Sequence, residues 1–231
     1  NLKSEQSCEK ARLELQNCAG RYDMALAVSQ YNKCELENYG FTNVRVLPII
    51  YSFDRLKGTP DSAVLKQFGQ GDKKNILFLG RIAPNKKQQD VVKAFYYYKT
   101  LIQPDSRLFL VGSWHGMEKY ANEIRHLITM LELDDVYLTG QVTLEQMTAY
   151  YQVSDLFLSM SEHEGFCVPL LESMFFDLPI LAYSSSAVSE TLGKAGVLFT
   201  GKEYRLIAEM MHLLLSDNQL RKKIIFGQRE R

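Results

Sequence analysis

Two segments hold residues whose types and spacing could do chemistry. The first is Ser161-Glu-His-Glu-Gly-Phe-Cys-Val-Pro-Leu-Leu-Glu172, with Glu164 and Glu172 eight positions apart around a Gly and a Pro. Pro169 suits the first position of a helix, where a missing N–H costs nothing. Gly165 lets a backbone approach a ligand closely. The amides of Phe166, Cys167, Val168 and Leu170 would then stand unpaired at a helix start and, with the helix dipole, attract an anion. Taken singly, each Glu reads equally well as a solvated charge or a carboxylate near a helix start. The second segment is Phe78-Leu-Gly-Arg-Ile-Ala-Pro-Asn-Lys-Lys87. Behind Gly80 it carries Arg81, then Lys86 and Lys87 at a helix start, with Asn85 as the expected N-cap. Cations there oppose the dipole. A bound diphosphate would explain them, since Arg grips it as a fork and Lys as a point charge. Two solvated lysines are the plain alternative.

Smaller features follow. Gly112-Ser-Trp-His115 ends another apolar run, and its Gly leaves room for a ligand. His115 and His163 are the acid–base candidates near neutral pH, although a lone His is more often an ordinary polar contact. The Gly-x-Gly-x-x-Gly, P-loop and Gly-x-Ser-x-Gly patterns are absent. Cys8, Cys18, Cys34 and Cys167 form no Cys-x-x-Cys, and no His pair is spaced for a metal, so free thiols in a reducing compartment and no metal site are expected. Cys8 and Cys18 fall on one predicted helix, about 15 Å apart, too far for a bridge.

These residues need elements to position them. From residue 73 the chain alternates short apolar runs with helical periodicity. Strands are predicted over 75–80, 107–112, 136–140, 155–160, 179–182 and 196–199. Helices are predicted over 86–101, 118–133, 144–151, 168–176, 189–192 and 203–215, the last taken as the final element. Such alternation implies right-handed crossovers and a parallel sheet covered on both faces, a doubly wound α/β domain. The strand runs are apolar throughout, as that burial requires. Ligands bind outside the carboxyl ends of such strands, which directs attention to the loops starting at Gly80, Gly112, Gly140, Met160 and Ala182. The first 70 residues read as a partial α/β unit: helix 4–19, strand 24–29, helix 31–39 closed by Gly40, and strand 44–50. Residues 51–70, with Gly58, Pro60 and Gly69, read as a linker with one short helix.

Composition sets outer limits. The 231 residues are 46% hydrophobic, which excludes wholesale disorder. Twenty-seven basic against 27 acidic side chains argue against a broad basic face for nucleic acid. No apolar run approaches the roughly 18 residues of a membrane span.

Together the two segments resemble the retaining glycosyltransferases of family 4, which have two facing Rossmann-like halves (the GT-B architecture). Gly80-Arg81…Lys86 and Glu164-Gly-Phe-x-x-Pro-x-x-Glu172 match that family's markers in order and spacing, and the Val136–Val142 and Asp155–Ser159 runs match strands found between them. The resemblance covers about 23–231. It implies that 71–231 is the nucleotide-sugar-binding domain and 1–50 a remnant of the acceptor-side domain. It also implies that the chain is a fragment, ending before the helix that normally crosses back.

Residue by residue, the resemblance puts Arg81 and Lys86 on the donor diphosphate and Glu172 on the ribose hydroxyls. It puts Glu164 and the backbone at Gly165, Phe166 and Cys167 at the sugar, and the backbone at Gln141 and Val142 at the base. Gly80 and Gly112 flank the donor, and the amides of Val168 and Leu170 face the diphosphate. Lys87 departs from the family, where Gly is common, and leaves two candidate lysines for the phosphate. A second Gly is also common after Gly112, where this chain has Ser113 and then Trp114. The implied reaction transfers a sugar, with retention, from a nucleoside diphosphate sugar to an acceptor hydroxyl on a sugar, lipid-linked or protein acceptor. No cofactor or metal is expected beyond the donor itself. The implied location is the cytoplasm or the cytoplasmic face of a membrane, where peripheral association is open. The rival reading is a non-catalytic donor-binding or scaffold module completed by a partner chain. An epimerase of the same architecture is disfavoured by the Glu-Gly-Phe segment.

Overall fold

The computed structural model describes residues 2–231, with side chains from residue 9, so the Cys8 side chain lies outside the described residues. The chain divides into two compact units, residues 1–51 and 52–231.

In the smaller unit, α1 (Leu2–Cys18) precedes β1 (Ala25–Ala27), α2 (Gln30–Asn38) and β2 (Val44–Val46), and the two strands pair in parallel. Ser29 caps α2 by accepting from the Asn32 amide at 3.1 Å. Both strands are shorter than the sequence predicts. Each has a single partner over three rungs, and Pro48 has no N–H with which to extend β2.

The larger unit opens with a 3-10 turn (Phe53–Lys57) and α3 (Ser62–Phe68). The regular alternation then begins: β3 (Lys74–Leu79), α4 (Gln88–Leu101), β4 (Ser106–Val111), α5 (Glu118–Met130) and β5 (Val136–Gly140). It continues with α6 (Leu144–Val153), β6 (Leu156–Ser159), α7 (Val168–Phe175), β7 (Ile180–Tyr183), α8 (Val188–Leu192) and β8 (Val197–Phe199). Two helices, α9 (Tyr204–Ser216) and α10 (Asn218–Glu230), close the unit. The six strands form one parallel sheet in the order β5-β4-β3-β6-β7-β8.

Side chains alternate across that sheet. Ile76, Phe78, Leu108 and Leu158 pack with Val91, Phe95, Ile124 and Met211 of α4, α5 and α9. On the other face Leu77, Phe109, Phe157 and Ile180 pack with Phe68, Tyr151, Leu170 and Val188 of α3, α6, α7 and α8. Apolar residues at every strand position follow from this double cover.

Three expectations are corrected. The segment expected as a linker, 51–70, is not one beyond residue 51: Leu56, Val64 and Phe68 are buried, and α3 belongs to one of the two cores. Asp61 starts α3 by accepting from the Val64 amide at 2.8 Å. The helix over 203–215 is not the last, because Asp217 caps α10 by accepting from the amides of Gln219 and Leu220. Asn85 is not the cap of the helix after β3. It lies in a 3-10 turn, Pro84–Lys86, and the cap position is taken by Lys87 in the left-handed region at φ 53°.

Candidate donor site

The strand order reverses direction at β3. Chain progress runs β3, β4, β5 toward one edge, then returns to β6 on the other side of β3 and runs to the opposite edge. Crossovers leave this point on opposite faces, so a crevice opens outside the carboxyl ends of β3 and β6. The two loops bordering it are the two segments singled out above: residues 80–87 after β3 and residues 160–167 after β6.

Hydrogen bonds and ion pairs join the loops. The Glu162 amide donates to the Asn85 carbonyl at 2.8 Å, and the Asn85 side-chain amide donates to the His163 carbonyl at 3.2 Å. Lys86 Nζ lies 2.6 Å from Glu164 Oε2, with both side chains mostly buried. Lys87 Nζ lies 3.0 Å from Glu162. The two lysines are thereby separated: Lys86 reaches into the crevice toward Glu164, and Lys87 turns to its rim. The loop after β7 holds the other side of the Glu164 loop. Ser186 Oγ accepts from the Glu164 amide at 2.7 Å, and Ser185 donates to the Ser161 carbonyl.

Next to the switch point lies a cleft of about 230 Å³ lined by Leu79, Gly80, Arg81, Val111, Gly112, Ser113, Gln141, Val142 and Met147. Gly80, Arg81, Gly112, Gln141 and Val142 are thus brought together. Gly112, at φ 151°, is required by a close backbone approach: a Cβ there would stand 2.0 Å from the Gly80 carbonyl oxygen. Arg81 is exposed and donates to the His115 carbonyl at 3.1 Å. Trp114 packs its ring against Gly140, and the Arg125 guanidinium lies over that ring at 4.7 Å.

The start of α7 departs from expectation in three respects. Pro169 occupies the second helical position, after Val168. The Leu170 amide donates to the Cys167 carbonyl at 3.0 Å, so it is spent within the helix start. The donors of this end are the amides of Phe166, Cys167 and Val168. Cys167 adopts φ 67° without a side-chain cap. Burial, followed by the charge of Glu164, pushes its thiol well up, so it stays neutral. Glu172, read from the sequence as a solvated charge or a carboxylate near a helix start, sits in the second turn and is buried. Its Oε2 accepts from the Tyr151 hydroxyl at 2.8 Å and its Oε1 from Arg55 Nη2 at 3.0 Å. Phe53 stacks on Phe175 at 5.3 Å beside this pair.

Sequence reading missed Arg55, Tyr151, Lys202 and Asp90. Lys202 bridges Glu162 at 2.6 Å and Asp90 at 2.8 Å, and Tyr204 donates to Asp90 at 2.8 Å. Lys202 and Lys87 hold the Glu162 carboxyl below its usual range, in that order of effect apart from an opposing burial penalty. Each contact spans tens of residues and leaves no local signature. Among the described residues, no group of three or more His, Cys, Asp or Glu could hold a metal ion, and no helix is long and apolar enough to cross a membrane.

Residues 64–231 match the protein family described as glycosyl transferases group 1. The chain belongs to this family. Among its group 1 relatives, a GDP-mannose-dependent alpha-(1-6)-phosphatidylinositol monomannoside mannosyltransferase of Mycolicibacterium smegmatis is 24% identical over 221 residues, covering 90% of this chain and 56% of that protein. An N-acetyl-alpha-D-glucosaminyl L-malate synthase of Bacillus anthracis is 30% identical over 171 residues, covering 72% of this chain and 42% of that protein. The chain spans about half the length of these curated relatives. Among solved structures, Anabaena Alr3699/HepE in complex with UDP and glucose superposes with a TM-score of 0.83 at 22% identity, over 95% of this chain and 61% of that one. A sucrose-phosphate synthase of Thermosynechococcus elongatus superposes at 0.80 with 20% identity, over 96% of this chain and 56% of that one. At these identities the likeness concerns the fold: the six-stranded parallel sheet of this group 1 chain has the fold of the Rossmann-like domain of the GT-B architecture.

Proposed function

We propose that this chain is the donor-binding part of a retaining glycosyltransferase that moves a hexose from a nucleoside diphosphate sugar to an acceptor hydroxyl. The observation that carries the reading is the meeting of Lys86 and Glu164 across the switch point, beside the cleft that Gly80, Arg81, Gly112, Gln141 and Val142 line. The names of relatives support a donor of this class: one is described as GDP-mannose-dependent, and one neighbour is described in complex with UDP-glucose.

In this reading the chemical burden is negative charge building on the departing diphosphate. Arg81, Lys86 and the amides of Phe166, Cys167 and Val168 would meet it. Such donors stabilise most when their geometry is set before the charge develops, and both loops are held by the contacts described above. These side-chain and backbone groups take the part a metal plays elsewhere. Glu164, with the backbone at Gly165, would accept from the sugar hydroxyls. Glu172 would face the ribose hydroxyls, its carboxylate oriented by Tyr151 and Arg55. The backbone at Gln141 and Val142 would meet the base. Residues 1–50 would be part of the acceptor-side domain, and the acceptor a sugar, a lipid-linked group or a protein. The mannosyltransferase relative's name, which specifies a phosphatidylinositol monomannoside, favours the lipid-linked case.

Titration calorimetry of the 231-residue chain with UDP and GDP tests the reading. Saturable heat is expected with at least one of them. A folded chain that gives no heat with either would sink the proposal.

A further inference from the structure

The Lys86–Glu164 contact places a carboxylate inside a site read as binding an anion. Lys86 Nζ is 2.6 Å from Glu164 Oε2, and the side chains are only 21% and 10% exposed. The main chain under Glu164 is held in place. Its amide donates to Ser186 Oγ at 2.7 Å, and its carbonyl accepts from the Ala187 amide at 3.3 Å. Glu162, two residues earlier, has Lys87 and Lys202 on its carboxylate. With its backbone held and its carboxylate on Lys86, Glu164 therefore presents a negative charge at the point where Lys86 would receive a phosphate.

We propose that the Lys86–Glu164 pair makes this site discriminate between an intact nucleoside diphosphate sugar and the bare nucleoside diphosphate. The inference rests on the donor reading given above. A bare nucleoside diphosphate brings a terminal phosphate with its full charge to Lys86. It must compete with Glu164 for the ammonium and then lie beside an uncompensated carboxylate, and like charges brought together in a partly dry site are costly. In the intact donor the same phosphate is esterified and carries less charge. Its sugar supplies hydroxyl donors that replace the ammonium on Glu164, so the carboxylate is never left unpaired. The pair thus weakens the product complex and leaves the donor complex intact. After transfer, the loss of the sugar returns Glu164 to Lys86 and favours release of the nucleoside diphosphate.

The test is a comparison of two affinities in the full chain, before and after Glu164→Gln. Calorimetry would measure UDP against UDP-glucose and GDP against GDP-mannose, using whichever base the wild-type chain binds. Glu164→Gln should tighten the bare nucleoside diphosphate by about fivefold, the scale of one partly exposed charge pair. The nucleotide sugar should bind equally well or less well, so the ratio of the two constants shifts by about fivefold or more in the direction of the product. A purely structural role for Glu164 would move both ligands together. Glu164→Ala should shift the ratio in the same direction and serves if the Gln variant does not fold. An unchanged or weakened bare-nucleotide affinity in the folded variants, in a chain whose wild type binds that nucleotide, overturns the inference and leaves the donor reading standing. A folded wild type that binds no nucleotide or nucleotide sugar overturns both.

Discussion

Gly112→Ala is the sharpest perturbation of the crevice. The new Cβ would stand 2.0 Å from the Gly80 carbonyl oxygen, 2.7 Å from the Gly80 carbonyl carbon and 3.4 Å from the Arg81 amide nitrogen. Every atom it meets is backbone, so no rotamer change relieves the clash. Reaching an ordinary contact of roughly 3.5 Å requires the loops after β3 and β4 to part by over an ångström. The φ of 151° adds strain for any residue with a Cβ, about 1–3 kcal/mol. Parting the loops also stretches the bonds that close them: Gly80 amide to Val111 carbonyl at 2.9 Å, Ile82 amide to Ser113 carbonyl at 2.9 Å, and Gly112 amide to Gly140 carbonyl at 3.1 Å. Weakening two of these costs about 1 kcal/mol each. The sum is about 3–5 kcal/mol, a large share of the 5–15 kcal/mol typical of a domain. Urea unfolding followed by the fluorescence of Trp114, the single tryptophan, measures it in the larger unit. Gly201→Ala is the control: nothing lies within 4 Å of its Cβ position, and a change within about 0.5 kcal/mol is expected. A loss below about 1 kcal/mol at Gly112, with nucleoside diphosphate affinity retained, would refute the close-approach argument.

Other expected outcomes follow from single contacts. Arg81→Ala should weaken nucleoside diphosphate binding by about 1.5–3 kcal/mol, the worth of a charge-assisted hydrogen bond, and leave the urea midpoint almost unmoved because the side chain is exposed; equal loss of stability and binding would contradict it. Tyr151→Phe removes a donor from the buried Glu172 carboxylate and should lower stability by about 1.5–3 kcal/mol in the same unfolding assay, with no effect counting against that hydrogen bond. Burial works against ionisation of Asp135, but Lys99 at 2.8 Å and Lys73 at 3.2 Å outweigh it and hold its carboxyl below the usual range. A depressed folded-state pKa gives stability that is present above about pH 4, the unfolded value, and is lost as pH falls through the folded value. Asp135→Asn should therefore flatten the stability–pH curve below about pH 4, and an unchanged acid limb would count against the pair.

The sequence made the sheet legible because the evidence for each strand is local. An apolar run ending in Gly announces β3, and another announces β4, since both faces are covered and nothing polar interrupts them. The two site segments were legible for a related reason: each is a strand-to-helix turn. What lay beyond reach was pairing across the chain. Nothing in Lys86 indicates Glu164, because their meeting depends on β6 returning beside β3. Residues 51–70 read as a linker because Gly58, Pro60 and Gly69 mask the spacing of Val64 and Phe68 on α3. The Asn85 cap failed because the turn tightened to 3-10 and pushed Lys87 into the left-handed region, which no lysine advertises. For α10, the buried positions Ile224 and Gln228 are four apart, but one is polar: Gln228 donates to the Leu178 carbonyl at 2.9 Å, and hydropathy alone passes over it.

The β3–β6 pairing has a consequence for how the site comes into being. Its register joins Ile76 to Leu156 and Leu77 to Phe157, partners eighty positions apart. Every other neighbouring pair in the sheet is joined by one crossover and can zip up early, whereas this pair must close the longest loop in the sheet, at the greatest entropic cost. One half of the sheet carries Arg81 and Lys86, and the other carries Glu164 and the start of α7. The first half by itself lines the cleft beside the switch point, but Lys86 has no Glu164 opposite it until β6 arrives. During synthesis the first half emerges with its cations complete but with nothing opposite them. The meeting of Lys86 and Glu164, on which the proposed donor site rests, thus arrives in a single step, when the two halves of the sheet dock.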